Sequence, residues 1–334
     1  MRVGVTYDLR ADYLAQGFGD EETAELDSEI TIAAICAALN DLGHLAVRVG
    51  NIRQLAGRLV AGERFDCVFN ICEGLRGVAR EAQVPALLDA YDIPCVFSDA
   101  LTMALCLDKA MAKRVARDAG IRTPDFAVVE NVEQARQVLL AFPLFAKPVA
   151  EGSGKGIAAV SLITDGASLE RVVTDLVDRF HQPVLVESFL PGREFTVGIT
   201  GTGTEAEVLG VLEVALTEQA DAHGYGYENK EHCDEKIRYA LVDDAEARAA
   251  AEVALAAWHC LRCRDGGRVD IRNDADGRPS LMEVNPLAGL NPVHSDLVFI
   301  ANFRGMPYRD LIGRIMESFL KRHPRLAATK SAAA

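Results

Sequence analysis

The sequence predicts an α/β protein that opens with a parallel sheet and continues into mixed α and β units. Three observations carry that expectation. Short apolar runs alternate with stretches of helical period over the first hundred residues, the pattern of a sheet covered on both faces. Glycine and proline close the stretches of helical period, as at Gly43, Gly120 and Pro124. Further on, Arg268-Val269-Asp270 and Glu283-Val284-Asn285 flank a stretch of turn formers, 273–279, so two neighbouring strands are expected to share a polar face.

Taken in order, residues 3–7 read as the first strand and 25–42 as a helix with Ile30, Ala33, Ile35, Ala38 and Leu39 on one side. Strands follow at 45–49, 65–70 and 94–97. The loop Asn70-Ile71-Cys72-Glu73-Gly74 leaves the third strand, where open α/β sheets place ligand-contacting residues. Ser98-Asp99 caps a helix expected to run to Gly120. Beyond it come a strand at 126–129, a helix at 132–140, a strand at 144–148, a helix at 169–180 and a strand at 183–187. Residues 195–200 and 206–211 pair as a hairpin. Residues 218–238 carry His223, Tyr225, Tyr227 and His232 without a period, as a mobile surface loop would. Helices at 244–260 and 308–322 enclose the polar strand pair.

Composition narrows the function. A chain of 334 residues with 49% hydrophobic and 25% charged residues, 27 glycines and 12 prolines is ordinary for a globular protein of two or three domains. Its formal charge of -14 argues against nucleic acid as a partner. No leader-like segment and no run of about 20 apolar residues is present, so no membrane association and a cytoplasmic location are expected. Eight cysteines, several inside apolar runs, fit reduced core thiols. His259-Cys260 with Cys263 lacks the second ligand pair that a closed zinc site needs.

The polar strand pair brings together two carboxylates (Asp270, Glu283), a carboxamide (Asn285) and a guanidinium (Arg268), with Val269, Ile271, Met282 and Val284 expected on the opposite side. Oxygen ligands of this kind suit magnesium holding nucleotide phosphates. Alone, the stretch reads equally well as the exposed face of an ordinary hairpin. Glu151-Gly152-Ser153-Gly154-Lys155-Gly156 is not a P-loop, since the spacing is too short and glycine follows the lysine. Its backbone N–H groups could still face phosphate, with Lys147 adding a charge from the preceding strand. A tight surface turn is the plainer alternative.

These pieces in this order resemble the D-alanine–D-alanine ligase family of ATP-grasp enzymes. The likeness is carried by Leu107-Asp108-Lys109, Lys147-Pro148, Glu151-Gly152-Ser153, 186–197, and the Arg268 and Glu283 strands. It implies an ATP-grasp fold: an N-terminal open parallel-sheet domain at 1–98, then two α+β nucleotide-clasping units at 99–190 and 191–325, and a tail at 326–334. The activity it implies is ATP-dependent carboxylate–amine ligation between small amino-acid-like substrates through an acyl phosphate. Alternatives are a hydroxyl or other non-amino-acid acceptor, or nucleotide binding without turnover.

The resemblance further implies ATP and two magnesium ions, with manganese as a substitute, and a homodimer through the first domain. Lys109 and Lys147 match the phosphate lysines, Glu187 and Leu190 the adenine edge, and Glu194 the ribose carboxylate. Tyr225 and Lys230 fall in the mobile lid, where the lysine nears the terminal phosphate. Asp270, Glu283 and Asn285 match the metal ligands, Arg268 and the Gly289 N–H the oxyanion donors, and Ser153 the serine that positions the first substrate.

Three departures fall on the substrate side. The family's early glycine-pair signature is replaced by Tyr7-Asp8-Leu9-Arg10 and an acidic stretch, leaving Glu25 or Glu29 for the glutamate that holds an ammonium. Glu73 stands where the family carries Leu-His-Gly. His294 takes the place of a carboxylate-binding serine; either it binds as a cation, or Ser295 does after a one-residue shift, or the second substrate lacks that carboxylate.

Overall fold

The computed structural model describes residues 1–216 and 237–331. Three sheets organise them. The first is parallel, with strands Leu45–Gly50, Arg2–Thr6, Cys67–Asn70 and Cys95–Val96 side by side in that order. Val3 and Val5 are wholly buried between the helices that cover both faces. The central sheet is antiparallel, ordered Phe126–Val129, Val184–Ser188, Leu144–Pro148, Leu162–Ile163. It is backed by the helix Gly166–Phe180, whose first turn is capped by Asp165 accepting the Ser168 N–H at 2.8 Å.

The third sheet has five antiparallel strands, ordered Ile237–Val242, Glu207–Leu216, Glu194–Thr200, Gly266–Asn273, Pro279–Asn285. The helix Ala245–Cys260 packs on one face through Ala247, Ala250, Ala254 and the fully buried Trp258. On the other face lie Asp296–Phe303 and Tyr308–Arg322. These two helices share one apolar core with the first sheet, in which Val3, Ile35 and Phe69 meet Leu297, Ile312 and Phe319. Asp265, buried at φ 65°, joins the same parts by polar contacts. It accepts the Phe97 N–H at 2.8 Å, the Ser318 hydroxyl at 2.9 Å and Arg322 Nε at 3.0 Å.

Several boundaries differ from the sequence expectation. The helix predicted from Ser98 to Gly120 is two helices, Ala100–Leu107 and Lys109–Asp118. Asp108 leaves the helical region (ψ 97°) and caps the second by accepting the Met111 N–H at 2.9 Å, so the chain turns at the residue before Lys109. Both helices pack into the third sheet's core through Cys106, Ala112 and Ala116, and the second also reaches the central sheet, where Ala110 packs against Leu185. The helix expected at 132–140 is one turn, Val132–Ala135; beyond it Leu139 is exposed and offers no face to bury. Helices at Arg10–Ala15 and Asp296–Phe303 were not anticipated. The expected mobile loop, with His223, Tyr225, Tyr227 and His232, lies almost entirely outside the described residues. No described helix is long and apolar enough to cross a membrane.

Candidate active site

A cleft opens between the central and third sheets. Lys147, on a strand of the central sheet, is buried, and its Nζ sits 2.9 Å from a carboxylate oxygen of Glu187. Glu187 is fully buried beneath the cleft. Its other oxygen is 3.1 Å from Lys113, a residue the sequence reading passed over. Lys113 lies four residues beyond Lys109 on the same helix, and that i,i+4 spacing was the available signal. Burial opposes ionisation of Glu187, yet the ammonium groups of Lys113 and Lys147 outweigh it and hold the carboxyl below its ordinary range. Burial pushes Lys113 down to about 8 despite Glu187. Lys147 is held above its ordinary value, because Glu187 and Glu283 prevail over burial.

Phe145, Phe189, Leu190 and Met282 give the cleft an apolar wall suited to a flat base. Glu194, at its mouth, is 3.3 Å from Arg272, whose guanidinium lies over the Phe189 ring. Met282 corrects one expectation. The register between the two strands slips between Asp270 and Ile271, pairing Asp270 with Glu283 and Ile271 with Leu281. The bulge leaves Met282 without a partner and lining the cleft, while Leu281 takes the buried place beside Val269 and Val284.

Asp270 and Glu283 are therefore direct cross-strand partners, and the Asn285 amide lies 3.3 Å from one and 3.5 Å from the other. Lys109 Nζ is 3.2 Å from Glu283, Arg268 pairs with Asp270, and Thr196 donates to Asp270 at 2.8 Å. Carboxylate and carboxamide oxygens gathered on a cleft wall fit a hard divalent ion. Among the described residues no three of His, Cys, Asp and Glu gather to hold an ion by themselves. A magnesium here would complete its shell from Asn285, water and phosphate, as that ion ordinarily does.

Next to this edge a second cavity is lined by Arg268, Ser153, Gly289, Asn285, Glu25, Glu73 and Glu81. Arg268 also lies 3.7 Å from Asp296, and the carboxylates around it hold its proton tightly against burial. Ser153 adopts left-handed backbone (φ 50°). Glu25 accepts the Gly152 N–H and pairs with Arg80 at 2.9 Å and Lys155 at 3.2 Å. A side chain at Gly152 would have its Cβ 2.6 Å from the Glu25 carboxylate, so only glycine allows this approach. Glu29 faces outward and pairs with Arg48 at 2.6 Å. Of the two glutamates left open by the sequence, Glu25 is the one in the cavity.

Glu73 lies in the same wall, pushed well above the ordinary carboxyl range by burial and by Glu81, Glu25 and Asp27. Glu81 was not foreseen; burial raises it to about 7 against the pull of Arg80. Only the fold brings it to Glu73, and nothing in its local sequence marks it. His294 is exposed and does not line the cavity. Its neighbour Ser295 accepts the Asn291 N–H at 2.8 Å and sits against Gly289. Tyr225 and Lys230 lie outside the described residues.

The family model described as D-ala D-ala ligase C-terminus matches residues 115–317. A D-alanine–D-alanine ligase of Bordetella petrii is 35% identical over 276 residues, covering 81% of each chain. The uncharacterised protein y4sG of Sinorhizobium fredii is 31% identical over 308 residues, covering 87% of each. The crystal structure of D-alanine–D-alanine ligase from Bacillus anthracis superposes with a TM-score of 0.75 at 22% identity, covering 97% of this chain and 99% of that one.

Proposed function

The chain belongs to the D-alanine–D-alanine ligase family, and from that membership we propose how its residues divide the work of an ATP-dependent carboxylate–amine ligase. The fold is the three-part ATP-grasp architecture, and the chemistry runs through an acyl phosphate. The observation that carries the assignment of roles is the meeting of Lys109, Lys147, Glu187, Glu194, Asp270 and Glu283 in one cleft, with Asn285 at the edge where the second cavity adjoins it.

Lys147 and Lys109 face the phosphates, with Glu187 and Leu190 at the base and Glu194 at the ribose. Asp270, Glu283 and Asn285 would hold one or two magnesium ions, or manganese with the same oxygen preference. A bound ion there supplies charge neutralisation as the phosphoryl group moves. A substrate carboxylate lying between Ser153 and Arg268 attacks the terminal phosphorus, displacing ADP. An amine, having lost its extra proton, then attacks the acyl carbon, and phosphate leaves. Arg268 and the Gly289 N–H face the oxygen that becomes negative, and donors so placed are worth roughly 3–4 kcal/mol each.

Substrates are small and amino-acid-like. Glu25 is already engaged by Arg80, Lys155 and the Gly152 N–H, so we assign the substrate ammonium to Glu73 and Glu81. The test is incubation with Mg-ATP and a panel of D- and L-amino acids, read by ADP release and mass spectrometry. A new amide is the expected product. Steady ADP release without any condensed product from the whole panel would defeat the reading.

A further inference from the structure

Lys113 lines neither cavity, yet it is almost completely buried and makes three polar contacts. Its Nζ donates to Thr123 Oγ1 at 3.0 Å and to the Leu281 carbonyl at 3.0 Å, and lies 3.1 Å from Glu187. Those partners come from the segment after its own helix, from the strand that carries Glu283, and from the central sheet. Glu187 in turn is 2.9 Å from Lys147, which does line the cleft. Lys147 and Glu187 alone would form a neutral buried pair. With Lys113 the trio carries a net positive charge. Hydrocarbon packing would fill this space without an ion, and burying an ammonium is costly unless it is paired.

We propose that Lys113 is a positioning residue for nucleotide binding: it occupies and orients Glu187, so that the Lys147 ammonium keeps its charge directed at the phosphates. This rests on the reading of the cleft as the ATP site. A lysine that merely closed the seam between helix and sheets would matter for stability and leave affinity alone.

The experiment is calorimetric titration of the full chain with Mg-ADP, together with ATP kinetics. Lys113→Gln keeps a donor for Thr123 and the Leu281 carbonyl but removes the charge. It is expected to weaken Mg-ADP binding roughly tenfold, the effect of one charge acting through partly screened protein, and to raise KM for ATP more than it lowers kcat. Lys113→Arg should bind close to the unaltered protein. Lys113→Met removes charge and donors together and should weaken binding at least as much, which serves if the glutamine variant does not fold. Unchanged affinity in Lys113→Gln or Lys113→Met, or arginine as weak as glutamine, would overturn the proposal. Failure of the unaltered chain to bind Mg-ADP would instead overturn the assignment of the cleft.

Discussion

Asp270 and Glu283 face each other across two strands, and each has a cation beside it. Asp270→Asn and Glu283→Gln keep size and shape while removing the charge an ion needs. Each is expected to lower turnover by roughly two orders of magnitude or more, since metal-borne charge stabilisation is worth several kcal/mol, with the fold intact by circular dichroism. Glu81 supplies a pH prediction. Burial and the neighbouring Glu25 charge lift its carboxyl to about 7, although Arg80 and Lys109 pull the other way. In the unfolded chain it titrates near the ordinary carboxyl value, so between that value and 7 the folded form holds the extra proton. Its contribution to stability is therefore complete below about 4.5 and lost as pH rises through 7. Glu81→Gln mimics the protonated form. Thermal melts of the nucleotide-free protein should show the variant more stable than the parent at pH 8 and equal to it at pH 4.5, while its KM for the ammonium-bearing substrate rises. The same two melts with no gap at pH 8 would refute the burial argument. Residue by residue, the nucleotide side was legible because its groups sit in strings such as Glu187 to Thr196. Glu81 was not, because its meaning comes from Glu25 and Glu73, which lie far off in the chain.

Strand registers and helix starts decide where those groups end up. Gly267 permits the tight seam beside Arg268: a Cβ there would come 2.5 Å from the Asn285 carbonyl and 2.8 Å from the Trp258 ring. Neither neighbour can move, since one is backbone and the other is wholly buried. Gly267→Ala should destabilise the protein by about 1–3 kcal/mol, the cost of overpacking a core, and should reduce magnesium-dependent activity by displacing Asn285. Urea melts and activity together check this. Asp108 is the second such point. Its carboxylate caps the helix that starts at Lys109, so Asp108→Ala should cost about 1 kcal/mol and raise KM for ATP. Sequence periodicity ran the two helices at 100–118 together because both are apolar on the same side, and a single capping aspartate looked like an ordinary helical residue. The bulge at Met282 was hidden for a similar reason. Alternation of Met282 with Val284 satisfies a regular strand, and only pairing against Asp270 shows the slip.

At the scale of the whole chain, Asp265 ties the first sheet to the last long helix through Phe97, Ser318 and Arg322. Asp265→Ala would leave a partly buried guanidinium without its carboxylate and place alanine in left-handed backbone, so a loss of about 3 kcal/mol is expected by chemical denaturation. Asp265→Asn, which tolerates that backbone and can still accept, should lose less. The three-part architecture was readable from motif order, whereas the fusion of first and third parts was not: the residues that seal it, such as Phe69 and Phe319, are separated by most of the chain and look like ordinary core. That shared core has a consequence for biogenesis. A ribosome translating this message releases the opening strands long before the helices that shelter them exist. Val3, Phe69 and Met103 can bury against Ile35, Leu39 and Phe97 early, but the side of that cluster that meets the later helices stays uncovered until residues beyond 297 emerge.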